Sequence, residues 1–310
     1  MRILVTGANG FIGSYLCNFL SKRNYRVIAT SRQFHLTTRE LLKECELVEL
    51  DVLNKSFLEN YAVEADLIIH TATANDIISR DSLQGIQLSA IGTKNILDFA
   101  IKYAIKKVIV FSTLQVYGTE LNGEINETTP LHFQNDYGLN HLFAEMYTEQ
   151  YTRQNKISGV VVRPSNVYGR ILTDSFNRWS LVPGCFCKEA LEAGTITIKS
   201  SGLQMRNFVN LENLSRGVEC IIKNYPLSFE SYNLASLQTN SMLEVAVVVK
   251  KILKQKFDKD IEIKVLGKEP KESNVFNINL SKLQEIGFAE DDNYSLETEI
   301  EQIINYLQSK

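Results

Sequence analysis

Residues 1–13 read MRILVTGANGFIG, and the rest of the chain is organised around them. Ile3, Leu4 and Val5 form an unbroken apolar run, the pattern of a parallel strand buried on both faces. A turn carrying Gly7, Asn9, Gly10 and Gly13 follows at once. Beyond it Tyr15, Leu16, Phe19 and Leu20 recur at helical spacing. Strand, glycine turn and helix N-terminus together make a seat for a pyrophosphate. Glycines let the backbone approach the phosphates, and unpaired helix N–H groups and the helix dipole favour their charge. Three glycines alone also fit an ordinary βα loop, because a lone motif is weak. The surrounding pattern decides between the two.

That pattern alternates strand and helix. Apolar runs at 26–30 (RVIAT), 46–50 (ELVEL), 66–70 (DLIIH), 107–111 (KVIVF) and 158–163 (SGVVVR) read as further strands. Helical periodicity covers 89–103 and a longer stretch that begins near Tyr137. Repeated βα units with short apolar strands predict an α/β fold with a doubly wound parallel sheet. The rhythm changes after Gly169. Helical stretches at 182–193, 211–223, 241–253 and 296–307 surround a short strand at 196–199. We expect a nucleotide-binding unit over 1–169 and a smaller α+β lobe over 170–310. The lobe should be interleaved with the first unit at the C-terminal edges of the strands, where open α/β sheets bind ligands. The polar, proline-containing stretch 120–130 reads as a surface loop.

Bulk properties narrow the function classes. With 310 residues, 44% of them hydrophobic, the chain can bury a substantial core. A net charge of −3 gives no reason to expect nucleic acid or an anionic membrane as partner. No apolar run approaches the ~18 residues of a membrane span. The chain opens directly as a core strand, which predicts no signal peptide and a cytoplasmic location. Five scattered cysteines, an odd number, read as reduced thiols, and with four histidines no metal site is expected.

Eight short motifs, in order, carry a resemblance. Thr6-Gly-Ala-Asn-Gly-Phe-Ile-Gly13 resembles the T-G-x-x-G-F-I-G signature of extended short-chain dehydrogenases/reductases, in particular the nucleotide-sugar epimerase, dehydratase and reductase group. Asp51-Val52 falls where that family contacts adenine, and His70-Thr71-Ala72-Thr73 is similar to its H-x-A-A. Gly92-Thr-Lys-Asn95, Ser112-Thr-Leu-Gln-Val-Tyr-Gly118, Tyr137-Gly138 with Ala144-Glu145, Arg163-Pro-Ser-Asn-Val-Tyr-Gly169 and Gly202-x-Gln-x-Arg-Asn-Phe208 supply the rest. The resemblance implies a Rossmann-type domain, a C-terminal substrate lobe and a homodimer. It also implies cofactor contacts at Gly7, Asn9, Gly10, Phe11, Ile12, Gly13, Asp51, Val52, Thr71 and Ala72.

For chemistry, the resemblance points to Tyr137 as the proton-transfer residue; a phenol can give or take the hydroxyl proton as hydride moves at the same carbon. Thr113 is the expected hydroxyl that orients the reacting oxygen, with Ser112 the second choice. The family's lysine, four residues after the tyrosine, is His141 here. A lysine there holds the nicotinamide ribose and lowers the tyrosine pKa. A histidine can hold the ribose but supplies charge only when protonated; His141 is expected to titrate near the ~6.5 of a free histidine and, when protonated, to stand in electrically for the lysine. The dehydratase acid pair is also absent, since Leu114 and Gln115 stand in its place.

Residues 30–32 read Thr-Ser-Arg, with no acid to bind a ribose 2′-hydroxyl. Ser31 and Arg32 suit a 2′-phosphate, which favours NADP(H) over NAD(H); the blander role for Arg32 is a loop charge stacked on adenine. Asn166 and Arg206 resemble the family's contacts to a nucleotide-diphosphate sugar, a task that a forked, permanently charged guanidinium suits. Two supporting residues depart from the pattern: Asn207 replaces an aspartate and Ser89 an asparagine. These readings converge on an NAD(P)H-dependent reductase of a 4-keto nucleotide sugar. The alternatives are a 4-epimerase with retained NAD and, in a different class, a catalytically silent NAD(P)-binding protein.

Overall fold

The computed structural model describes residues 1–170, 172, 179, 181–268 and 274–309. Its main sheet runs β11 (Glu230–Leu234), β7 (Ser158–Pro164), β5 (Lys107–Phe111), β4 (Leu67–His70), β1 (Arg2–Thr6), β2 (Arg26–Ser31) and β3 (Glu46–Glu49). Every neighbouring pair is parallel. Among the described residues, three small sheets hold the remaining strands. They are β12 (Thr239–Ser241), β10 (Met205–Asn210) and β8 (Asn166–Tyr168); β13 (Glu262–Val265) with β9 (Thr195–Ile198); and β14 (Phe276–Ile278) with β6 (Gly123–Ile125).

The helices of the first half are α1 (Phe11–Ser21), α2 (Leu36–Leu41), α3 (Lys55–Asn60), α4 (Ser82–Ile86), α5 (Gly92–Lys102) and α6 (Asp136–Arg153). Those of the second half are α7 (Gly184–Ala193), α8 (Leu211–Lys223), α9 (Met242–Phe257), α10 (Ser281–Glu285) and α11 (Leu296–Gln308). Among the described residues, no helix is long and apolar enough to cross a membrane.

The two-residue repeat of a strand explains the layering. Ile3 and Val5 face one side of the sheet, where Leu16 and Phe19 of α1 and Leu214 and Val218 of α8 cover them. Leu4 and Ile68 face the other side, packed under Ile96 and Leu97 of α5 and Ala144 of α6. Leu4 has no exposed surface, so Leu4→Ala should cost roughly 2–5 kcal/mol. A third core belongs to the lobe: Phe186 of α7, Val245 and Val249 of α9 and Ile300 and Ile303 of α11 close over Ile196 and Ile198. The expected Rossmann-type doubly wound sheet is thus present, with one strand more than the apolar runs showed.

Three local features differ from expectation. The helix expected over 89–103 is broken by a π turn, Gln87–Ile91, before α5 begins at Gly92. Ser89 lies in that turn, and its Oγ accepts the Ala74 N–H at 2.9 Å. The stretch 120–130 is not all loop, because β6 pairs with β14. The seventh strand, β11, comes from the second half of the chain and pairs with β7 at the sheet edge.

Candidate active site

The glycine turn is shaped by two close approaches. Gly7 has φ +73°, the left-handed region, and an ideal Cβ on it would stand 2.8 Å from Thr71 Oγ1 and 2.9 Å from Ala72 N. A Cβ on Gly13 would meet the carbonyl oxygen of Gly7 at 2.3 Å. Glycine at both positions therefore lets the turn, α1 and the end of β4 touch. Thr71 Oγ1 seals the contact by donating to the Thr6 carbonyl at 2.6 Å. The cap of α1 is Gly10, with no side-chain cap bond, so the first-turn N–H groups of Phe11, Ile12 and Gly13 are open donors. In the same turn Asn9 Oδ1 is buried and unpaired. A glycine cradle with open N–H groups fits the pyrophosphate of a dinucleotide.

The end expected to hold adenosine is equally local in origin. Asn95 Nδ2 donates to the Val52 carbonyl at 2.9 Å, and a Cβ on Gly92 would lie 3.0 Å from the Val52 side chain. The two ends of the G-T-K-N stretch thus hold the Asp51-Val52 loop against α5. Ser31 closes β2, and Arg32 beyond it is exposed. The carboxylate opposite Ser31 on β3 is Glu49, which Arg39 engages at 2.7 Å.

Tyr137 and Thr113 are brought to one place by α6 and the turn after β5. Asn135 caps α6 by accepting the Gly138 N–H at 2.9 Å. Gly138 then rides on that turn, its ideal Cβ 2.8 Å from the Gln115 carbonyl oxygen. Thr113, 6% exposed, caps a 3₁₀ turn (Leu114–Tyr117) by accepting the Gln115 N–H at 3.2 Å. Leu114 is buried in the core, and the Gln115 side chain accepts from Asn135 Nδ2 at 3.1 Å. Neither position offers an acid or a base.

His141 lies one turn beyond Tyr137, with ring centroids 4.7 Å apart and planes at 75°, edge to face. Burial pushes its pKa down to about 4, and hydrogen bonds with the backbone of Phe111 and Ala74 oppose the shift without cancelling it. The ring is therefore neutral at pH 7. This corrects the expectation that His141 titrates near 6.5 and stands in electrically for a lysine. Its Nδ1 is buried and unpaired, so it retains a hydrogen bond to offer a ribose. His70, at the end of β4, is likewise neutral. Burial and the neighbouring His141 lower its pKa to about 3, and Thr6 Oγ1 and Thr93 Oγ1 flank its two nitrogens at 2.7 and 3.1 Å.

Ser112 does not face a reacting oxygen with a free hydroxyl. Its Oγ is spent on Glu145 Oε1, 2.5 Å away. Glu145 in turn pairs with Arg163, and both are buried. The sequence reading assigned neither of them a role. Arg163 carried the clearer signal, a charge closing a run of valines, since a buried arginine needs a partner.

On the lobe side, β8 and β10 run parallel with Asn166 opposite Phe208, two residues from Arg206. Asn166 Nδ2 donates to the Asn207 carbonyl at 2.8 Å, which fixes its orientation. Arg206 is exposed, and its Nη1 donates to the Met205 carbonyl at 3.2 Å. Asn207, the replacement for aspartate, is fully used. Its Nδ2 donates to the Ser236 and Gln238 carbonyls at 2.7 and 3.1 Å, and its Oδ1 accepts the Ser236 N–H at 3.0 Å.

A doubly wound sheet with a glycine cradle at its first strand, and with the start of α6 seated through Gly138 on the turn that follows Thr113, is the frame of the short-chain dehydrogenase/reductase type. Comparison with known proteins narrows this. Residues 3–235 match the model of the NAD dependent epimerase/dehydratase family, and the chain belongs to that family. It is 27% identical over 299 residues to UDP-glucuronic acid decarboxylase 6 of Arabidopsis thaliana, covering 92% of this chain and 83% of that protein. It is 25% identical over 315 residues to a putative UDP-glucose 4-epimerase of Methanocaldococcus jannaschii, covering 99% and 98%. The structure of a UDP-glucuronic acid 4-epimerase from Bacillus cereus, in complex with UDP-glucuronic acid and NAD, superposes with a TM-score of 0.81. That likeness covers 100% of this chain and 99% of the other at 23% identity.

Proposed function

We propose that this chain is a cytoplasmic, homodimeric NAD(P)H-dependent reductase of a 4-keto nucleotide sugar. The observation that carries the reading is the buried, neutral His141 beside Tyr137. Oxidising a sugar alcohol requires the tyrosine to start as a base, and a nearby cation makes that easier by lowering its pKa. Reducing a ketone requires it to start as an acid, the form an ordinary tyrosine with a pKa of ~10 already holds at pH 7. Decarboxylation, dehydration and epimerisation by way of a 4-ketone all begin with the oxidation. For dehydration the acid pair is missing as well, at Leu114 and Gln115.

Bound nicotinamide supplies the hydride. The chain's part is to bind, orient and donate. Gly7, Gly10 and the N–H groups of Phe11, Ile12 and Gly13 hold the pyrophosphate, Asp51 and Val52 the adenosine, and His141 the ribose by way of Nδ1. Thr71 and Ala72 line the cofactor path where they meet Gly7. Thr113 donates to the ketone oxygen, and Tyr137 delivers its phenolic proton to that oxygen as it becomes an alkoxide. Asn166 and Arg206 take the diphosphate of the sugar nucleotide. Ser31 and Arg32, with no acid at the end of β2, favour NADP(H). Support for the homodimer comes from Leu83, Ile86, Ile91 and Met146, large apolar side chains exposed along α4, the π turn and α6.

The second reading is a 4-epimerase with retained NAD. It is favoured by the end-to-end match to the putative UDP-glucose 4-epimerase. One experiment separates the two: incubation of the protein with a 4-keto nucleotide sugar and NADPH, followed at the nicotinamide absorbance. A reductase consumes one NADPH per sugar. No consumption, together with interconversion of epimeric alcohols and no added cofactor, overturns the reductase assignment.

A further inference from the structure

Tyr137, His141 and Glu145 stand four residues apart on one face of α6. The first two belong to the site just described; the third anchors a buried polar chain. Arg163 of β7 grips Glu145 with two prongs, Nη2 to Oε2 at 2.6 Å and Nε to Oε1 at 3.0 Å, and the two side chains are 6% and 4% exposed. Ser112 Oγ donates to the same Oε1. Arg163 Nη1 donates to the Tyr117 hydroxyl at 2.7 Å, and that hydroxyl donates to Asn233 Oδ1 of β11 at 2.9 Å. One network thus ties α6 to the end of β5, to β7, to the turn after Thr113 and to β11.

We infer that the Glu145–Arg163 pair, braced by Ser112 and Tyr117, is a positioning clamp that sets the rotation of α6 and so aims Tyr137 at the oxygen Thr113 holds. The inference rests on the catalytic reading of Tyr137 and Thr113. Stability alone gives a poor account of the pair. Apolar side chains of similar volume often hold a buried site as well as an ion pair or better. A forked guanidinium on a carboxylate does supply direction, because its two parallel bonds fix an angle as well as a distance.

The N-terminal end of α6 is already fixed by the Asn135 cap and by Gly138 on the Gln115 carbonyl. A second anchor two turns along removes the remaining freedom, rotation about the axis. That rotation matters, since a turn of about 10° moves an atom lying about 6 Å from a helix axis by about 1 Å. A misplacement of about 1 Å can cost ~10²-fold in rate. Ser112 in this view acts through Glu145 and is not the reacting hydroxyl.

The test uses single-turnover reduction of a 4-keto nucleotide sugar by NADPH. The variants are Ser112→Ala, Glu145→Gln and the two combined. Glu145→Gln/Arg163→Met is added because it leaves no unpaired buried charge and so keeps the question open if Glu145→Gln fails to fold. Both charge variants should lose on the order of 10²-fold in the rate of chemistry, with cofactor Kd and sugar KM held within about threefold. Ser112→Ala should lose on the order of tenfold, and adding it to Glu145→Gln should cost nothing further, because the two act as one unit. A crystal structure of Glu145→Gln/Arg163→Met should show α6 turned relative to β5. Wild-type rates in the folded charge variants, multiplying losses in the combined Ser112→Ala/Glu145→Gln variant, or an unturned helix overturns the clamp. Full turnover in Tyr137→Phe and Thr113→Ala overturns the catalytic reading instead. Loss of turnover in those two beside wild-type rates in the clamp variants overturns the clamp alone.

Discussion

Replacing His141 by lysine should make the chemical step faster in both directions wherever the phenol is still mostly protonated. The two rings at 137 and 141 lie 4.7 Å apart, so an ammonium at 141 comes within about 5 Å of the phenol. At an effective dielectric of about 20, a unit charge at about 5 Å is worth about 3 kcal/mol, or roughly two pKa units. The phenol of the variant should therefore ionise roughly two units below that of the wild type. At a pH where the phenol is still mostly protonated, the phenolate fraction, and with it the oxidative rate, should rise by up to ~10²-fold. In the reductive direction the phenol becomes a phenolate as it gives up its proton, so the same ammonium stabilises that step and the reductive rate should rise as well. The wild type should also show no titration from His141 between pH 6 and 8, because burial places its pKa at about 4. The assay is a pH–rate profile in both directions under single-turnover conditions, which keeps product release from hiding chemistry. A wild-type reductive rate that falls across pH 6–8 with a histidine-like midpoint, or a lysine variant with an unchanged oxidative profile, would refute the reasoning.

Tyr137→Phe should abolish nearly all turnover while cofactor affinity stays within a few fold, and Thr113→Ala should lose on the order of 10²-fold, the scale of one lost donor to a developing oxyanion; single-turnover rates beside titrated Kd values check both. Arg32→Asp should reverse a preference for NADPH over NADH, measured by calorimetric titration, and equal affinities unchanged by the substitution count against Ser31 and Arg32 as 2′-phosphate ligands. Glu299 of α11 is buried against the Gly169 turn, and burial, assisted by Glu212, raises its pKa from 4.5 to about 7 while Arg170 opposes the shift. A carboxyl with a raised folded pKa resists ionisation, so its cost grows as pH rises from 4.5 through about 7. Glu299→Gln should then stabilise the protein by up to about 3 kcal/mol at pH 8 and by little at pH 4.5, read from denaturant midpoints, and an equal gain at both would show that the carboxyl is not the source.

What could be read in the sequence was what depends on near neighbours in the chain. β1, β4, β5 and β7 are continuous apolar runs because helices cover both of their faces. The glycine turn and the Tyr137–His141 spacing are local too, and the structure places both where the pattern put them. β11 was not legible: its sequence, ESYNL, is mixed, and β7 across the sheet makes it a strand. Ser89 looked like a lost brace until the π turn brought its hydroxyl to the Ala74 N–H. Glu145 carries no signal of its own in the sequence, because its partners Arg163 and Ser112 come from β7 and from the turn after β5. For His141 the spacing showed which residue it replaces, whereas its protonation state depends on burial supplied by elements distant in sequence.

That last difference bears on the direction of the reaction. A tyrosine with the ordinary pKa of ~10 reaches pH 7.5 almost wholly protonated, and generating its phenolate there costs roughly 3 kcal/mol. An enzyme that first oxidises an alcohol meets this cost in every turnover unless a neighbouring charge removes it. The charge does not come from His141, which is neutral. Nor does it come from Arg163, the buried cation of this region, whose fork is closed on Glu145. A reductase starts from the phenol, the form an ordinary tyrosine holds near neutral pH; the ketone oxygen, polarised by Thr113, takes the proton, and the phenolate left behind recovers one from solvent. An epimerase must run both halves and is held to the rate of the slower one. Finding that the wild type interconverts epimeric alcohols near neutral pH with no added cofactor would return the epimerase to first place.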